Sequence, residues 1–193
     1  MKLRQSLWVL LSSVLLLFSG CTSSAEQELV QNAIASYFAF LCAGDYDSAN
    51  TLTVQADEEI SAAIEKNEIN DYIFKDITYE IWGIEKNRED GLFYVDIVVR
   101  QLSLKKVYEN TVKDYNEYIS NTEEKNFNDE ALEAKWNEIF LKHVKQTHDR
   151  TSLRCTLPVR IEEDAAVLLM TAQFRNCLFG GELDAINALK DVS

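Results

Sequence analysis

Proline occurs once in this chain, at Pro158, and glycine only six times in 193 residues. So few chain-breakers exclude a Pro/Gly-rich linker, a collagen-like segment or a low-complexity tail, and no internal repeat is visible. Histidine is almost missing, with His143 and His148 alone. They stand five residues apart, about 140° around a helix, so they do not share a face and do not make a metal pair. The four cysteines, Cys21, Cys42, Cys155 and Cys177, include no pair at zinc-ligand spacing. No serine lies in a G-x-S-x-G turn, and there is no glycine loop of the phosphate-cradling kind. Cations are scarce as well: 19 Lys and Arg face 32 Asp and Glu, a net charge of −13. Such a field repels nucleic acid and anionic lipid headgroups alike. No apolar run reaches the roughly 20 residues that a bilayer-spanning helix needs. These absences predict no cofactor, no metal and no nucleic-acid partner.

The chain does carry an address. Lys2 and Arg4 precede an apolar run over 7–18, and Ser19, Gly20 and Cys21 follow. A charged start, a short apolar core and small residues at its end form a secretory signal. The ending Phe18-Ser19-Gly20-Cys21 resembles a bacterial lipobox, with Phe18 where leucine is usual. That resemblance implies cleavage before Cys21 and a diacylglyceryl anchor on its sulfur. The expected division is a signal peptide over 1–20, a short tether over 21–27 and one domain over 28–193. Two acyl chains hold a protein stably to a membrane where one does not. Two of the 19 basic side chains leave with residues 1–20, so 17 face 32 acidic ones and the net charge becomes −15. Lipid, and not surface charge, is therefore the expected hold on the membrane.

With Cys21 lipidated, Cys42, Cys155 and Cys177 remain. Cys155 and Cys177 fall in two neighbouring strand candidates, so a disulfide between them is open. The alternative is that all three are small buried apolar residues.

The remaining chain reads as alternating periods. Ser24-Ala25-Glu26-Gln27 has the S-x-x-Q form of a capping box. Leu29, Val30, Ala33, Ile34, Tyr37, Phe38 and Leu41 then follow a 3.6 period. Gly44 is placed to end this helix. Residues 45–52 read as a cap and one or two helical turns, and 57–66 as a second short helix. Asp45 and Asp47 are taken as capping residues, since the stretch lacks the ligand order of a calcium loop. Ile77, Tyr79 and Ile81 alternate as a strand, the Asp90-Gly91 dipeptide marks a turn, and Phe93, Val95, Ile97 and Val99 form the core face of the returning strand. Helical periods return over 104–119 and from about 129 to 146. Leu153, Cys155, Leu157, Val159 and Ile161 alternate again, with Pro158 placing this strand at an edge or on a bulge. Residues 167–177 read as a last long strand, Phe179-Gly180-Gly181 as a break and 182–190 as a closing helix.

The long first helix followed by Ala43-Gly44-Asp45-Tyr46-Asp47-Ser48-Ala49 resembles the opening of the nuclear-transport-factor-two-like (cystatin-like) superfamily. The resemblance implies an α+β fold: a curved antiparallel sheet of four to six strands wrapped around the N-terminal helix as a cone, with a helical insertion at 104–147. Enzymes of that superfamily hold an acid or base inside the cone, where an apolar wall shifts its pKa. The expected inward strand positions here carry no group that ionises near neutral pH, and Asp96 falls on the opposite face. The favoured function is a membrane-tethered extracytoplasmic binding module without catalysis. It would take a small apolar molecule, a peptide or an envelope protein through the cone mouth or the insertion. An enzyme using Tyr79 or His143 is the first alternative, and a homodimeric scaffold the second. His143 itself, on the apolar stripe of its helix, is read as a core histidine bonded to one neighbour. Globomycin treatment is expected to make cells accumulate the unprocessed precursor. Cys21→Ala is expected to release the chain from the membrane fraction, as a fractionation immunoblot reads.

Overall fold

A computed structural model of the chain describes residues 24–56, 61, 63–122 and 128–190. Among them the fold is α+β, with seven helices and one five-stranded sheet in the order β1-β5-β4-β3-β2. The expected signal segment and lipidation site lie outside the described residues.

Helix α1 (Ser24–Ala43) buries Val30, Ala33, Ile34, Tyr37, Phe38 and Leu41, the stripe that its periodicity predicts. It starts at Ser24, so residues 24–27 of the expected tether are its first turn. Gly44, at φ +69°, ends it. Asp45 then caps α2 (Tyr46–Thr51) by accepting from the Ser48 N–H at 3.2 Å. The short helix expected over 57–66 differs from what is found: residues 63–67 are not helical, and 57–60 and 62 lie outside the described residues. Asn50 explains this. Its side chain accepts from the Ile64 N–H at 2.8 Å and donates to the Ile64 carbonyl at 3.0 Å, taking both backbone groups that a helix would use. Asn67 instead caps a later helix, α3 (Glu68–Phe74).

Strands β2 (Thr78–Lys86), β3 (Phe93–Leu102) and β4 (Arg150–Glu162) form an antiparallel core. Phe93, Val95, Ile97 and Val99 are fully buried, as their alternation predicts. In β2, Ile77 just before the strand is buried, while Tyr79 and Ile81 are half-buried. A bulge then follows. Ile81 pairs with Ile97 and Gly83 with Asp96, so Trp82 is the extra residue.

Two expectations about the C-terminal strands are corrected. Pro158 does not mark an edge: β4 lies between β3 and β5. The proline is tolerated because β5 pairs only with residues 159–162 of β4, leaving that side unpaired at 158. Nor does a strand run over 167–177. β5 (Ala165–Met170) stops at Thr171, whose hydroxyl accepts from the Phe174 N–H at 3.2 Å and caps α6 (Ala172–Leu178). Cys177 is thus helical. The sheet is also mixed and not wholly antiparallel, because β1 (Thr53–Gln55) adds to β5 in parallel.

One face of the sheet is covered. Phe38 of α1 stacks on Tyr79 of β2 at 4.3 Å between ring centroids, and Phe174 of α6 stands 6.2 Å from Tyr37. The inner strand residues pack against these helices. Between β3 and β4, α4 (Leu104–Asn121) and α5 (Asp129–Gln146) pair with each other, and α7 (Glu182–Lys190) packs on α4. Helix α6 leads into α7 through Gly180 and Gly181, both at positive φ. A Cβ on Gly180 would meet the Leu102 carbonyl oxygen at 2.0 Å. Gly180→Ala is therefore expected to cost on the order of 3 kcal/mol and lower Tm by roughly 6–12 °C. Gly91, also at positive φ but with nothing within 4 Å of an added Cβ, is the control. Gly91→Ala should cost only about 1–2 kcal/mol in the same melts.

Candidate functional site

Alternation puts a second set of side chains on the uncovered face of the sheet. Thr78, Glu80, Arg100, Arg154, Thr156 and Arg160 are exposed, and Tyr94, Asp96 and Val98 are half-exposed. Within this face lies an open cleft of about 600 Å³, lined chiefly by Trp82, Tyr94, Asp96, Arg154 and Thr156, with Gln173 from the start of α6 completing it.

The cleft is organised by one arginine. Arg154 sits diagonally across the β3–β4 ladder from Asp96, and its Nε donates to Asp96 Oδ1 at 2.7 Å while Nη2 donates to Oδ2. Its guanidinium also lies 4.6 Å from the centre of the Trp82 ring. Trp82 is 48 % exposed, the large hydrophobic residue left open among the described residues. It continues the outward alternation of Thr78 and Glu80, and the bulge leaves it without a partner on β3. The hydrogen bonds from Arg154 lower the Asp96 pKa, and the same pair raises that of Arg154. At the hairpin end, Asp90 accepts from the Leu92 N–H and the Tyr94 hydroxyl at 2.9 and 2.8 Å, which lowers its pKa and fixes the tyrosine. The arrangement presents an aromatic plate, a pre-oriented bidentate cation and a held phenol. It offers recognition groups, and the exposed Glu85 carboxylate and Thr156 hydroxyl also line the cleft.

Asp96 stands on the face where alternation put it, but the cluster as a whole is not legible from sequence. Trp82, Asp96 and Arg154 each occupy an outward position on a different strand. Only the bulge and the strand order bring them together.

The other candidate residues are dispersed. Tyr79 is stacked on α1, and burial raises its pKa. His143 is far along the α4–α5 pair, where its Nε2 lies 2.9 Å from Asp114 Oδ2, an oxygen that also accepts from Lys142 Nζ at 3.1 Å. It joins two helices, and the structure does not bring it to Tyr79. Asp45 caps α2, and the adjoining Tyr46 hydroxyl donates to Asp71 at 2.9 Å beside a small hollow of about 210 Å³. Cys155 and Cys177 are both buried and are thiols in this structure, whereas Cys42 is exposed. Among the described residues no group of three or more His, Cys, Asp or Glu is placed to hold a metal, and no helix is long and apolar enough to cross a membrane.

Sequence reasoning passed over one further acid. Glu182, at the start of α7, accepts from the Tyr108 hydroxyl at 3.3 Å, and burial raises its pKa despite the nearby Arg175. Nothing in its own stretch marks it, since the tyrosine it meets comes from α4.

Comparison with protein-family models, with curated proteins and with solved structures yields no match to this chain.

A raised folded-state pKa on an acid opposes folding above the unfolded-state value and leaves no penalty below it. Glu182→Gln is thus expected to stabilise the protein at pH 7. The gain should shrink as pH falls through the folded-state pKa and vanish below about 4.5, the pKa of the unfolded side chain. Denaturant titrations of both proteins across that range measure it.

Proposed function

We propose that this chain is a non-catalytic binding module, held by lipid on Cys21 at the extracytoplasmic face of the cell membrane, and that its partner is a protein or peptide seated over Trp82. The observation that carries the reading is the Trp82–Arg154–Asp96 cluster on an otherwise uncovered sheet face. Trp, Tyr and Arg are the side chains in which interfaces concentrate their energy. An arginine already fixed by a bidentate carboxylate loses less freedom when a partner docks. An exposed tryptophan held in place by a strand bulge is a costly feature for a surface with no occupant.

The finer fold reading is a nuclear-transport-factor-two-like cone. Helix α1 against the buried face of the sheet supports it, as do the turn through Gly44, Asp45 and Tyr46 and the α4–α5 pair inserted between β3 and β4. The absence of catalysis is supported by the state of the two alternatives, Tyr79 in a stack and His143 in a helix-joining contact. A small apolar ligand inside the cone is less favoured, because the inner positions of β3 and β4 are filled by packing against α1 and α6. The homodimer competes for the same outer face and becomes an outcome of the test.

A photoreactive benzoylphenylalanine at Thr156, within the cleft, is expected to give an adduct in intact cells. The same probe at exposed Glu117 on α4 should give none, and Trp82→Ala should remove the Thr156 adduct. An adduct of twice the chain's mass assigns the face to a second copy. Illumination that leaves the Thr156 protein unattached, or attaches both positions equally, rejects the site.

A further inference from the structure

Cys155 and Cys177 are 22 positions apart on different elements, yet those elements pack together. Cys155 is an inward residue of β4, paired in register with Ile97 of the buried β3 face. Cys177 lies in the last turn of α6, which packs on β4, and both side chains belong to the main core. Each thiol perturbs the other across this contact, raising the Cys155 pKa and lowering that of Cys177. The end of α6 is fixed independently, because Gln101 Nε2 of β3 donates to the Cys177 carbonyl at 2.5 Å. The exposed thiol of Cys42 is turned elsewhere, onto the Ile77 carbonyl at 3.4 Å. Two buried thiols in one core cluster, on elements that pack together and with Cys42 engaged apart from them, are more than apolar filling requires.

We propose that Cys155 and Cys177 form a reversible disulfide that staples the centre of the sheet to α6. The oxidant class is another disulfide, carried by a small thiol or a thiol oxidoreductase. The neighbouring Cys155 thiol lowers the Cys177 pKa, while the Cys177 thiol and burial raise that of Cys155, so Cys177 is the sulfur that attacks first. As thiolate it attacks one sulfur of the oxidant and displaces the other as a thiolate. Cys155 then loses its proton and attacks Cys177 in the mixed disulfide, releasing the second thiolate. Two protein thiols are oxidised to one disulfide, and one disulfide of the oxidant is reduced to two thiols. Closing the bond constrains the unfolded chain over a loop of about 20 residues. It also ties the cleft's Arg154–Thr156 segment to α6, which carries Gln173 at its rim.

The test uses the full-length protein in detergent. The folded chain is equilibrated with mixtures of oxidised and reduced glutathione, blocked with N-ethylmaleimide and digested with trypsin. Cleavage after Arg154, Arg160, Arg175 and Lys190 puts the two cysteines on separate peptides, 155–160 and 176–190. Oxidised glutathione is expected to join these into one species lighter than their sum by two hydrogens, with Cys42 outside it. The oxidised protein should melt about 5–10 °C above the reduced one. Cys155→Ser should abolish both the linked peptide and the melting difference. The proposal is overturned if the two peptides stay separately blocked or separately glutathionylated in the most oxidising mixture, if either pairs with Cys42, or if the two forms melt together.

Discussion

The packing of β3 against helices α3 and α6 is the constraint on which the rest of this structure depends. Phe93, Val95, Ile97 and Val99 point to one side of a strand flanked by β2 and β4, and none is exposed. Removing this much apolar surface from water is the largest favourable term available to a domain of this size. It also fixes the sheet's two faces. Because side chains alternate along a strand, a buried row at 93, 95, 97 and 99 forces Tyr94, Asp96, Val98 and Arg100 outward. The same logic carries through the pairing to β4, where burial of Cys155, Leu157 and Val159 turns out Arg154, Thr156 and Arg160. The cleft is thus the reverse side of the core, and no separate device is needed to expose its charged residues.

The bulge between Ile81 and Gly83 is the exception to that strict alternation. Without the bulge β2 would continue as a regular partner of β3. With it, β2 gains one residue relative to its neighbour and Ile84 returns to the register of buried Val95. The strand keeps its apolar side inward on both sides of the irregularity, and the aromatic ring is left over Arg154. Bulges also twist an edge strand away from pairing with foreign strands. Since β2 is an edge of the sheet, one residue both guards that edge and builds the cleft.

Much of this architecture was legible in the sequence where period and local chemistry agreed. The stripe of α1, the glycine after it, the buried row of β3 and the cap at Asp45 follow from residue spacing alone. What was not legible depended on distant partners. Asn50 holds the backbone of Ile64 in a non-helical form, which no pattern within 57–66 reveals. The run after Val167 is apolar enough to continue as a strand, but Thr171 caps a helix there because Phe174 and Cys177 find α1 and β4 to pack on. Pro158 looked like an edge residue because the edge rule concerns strands, whereas what a proline needs is one unpaired position. The cleft stayed hidden for a similar reason: strand faces can be read singly, but which outward residues become neighbours is set by strand order and by a one-residue bulge.

The parallel pairing of β1 with β5 ties opposite parts of the chain together: Thr53 aligns with Leu168, Val54 with Leu169 and Gln55 with Met170. A segment made early must wait, unpartnered, until more than a hundred further residues have been delivered. A chain made from its N-terminus therefore has α1 and α2 available long before its sheet can be completed. Pairing between such distant segments forms slowly, so completion of the sheet sets the pace of folding and leaves a strand edge open to wrong partners in the interval.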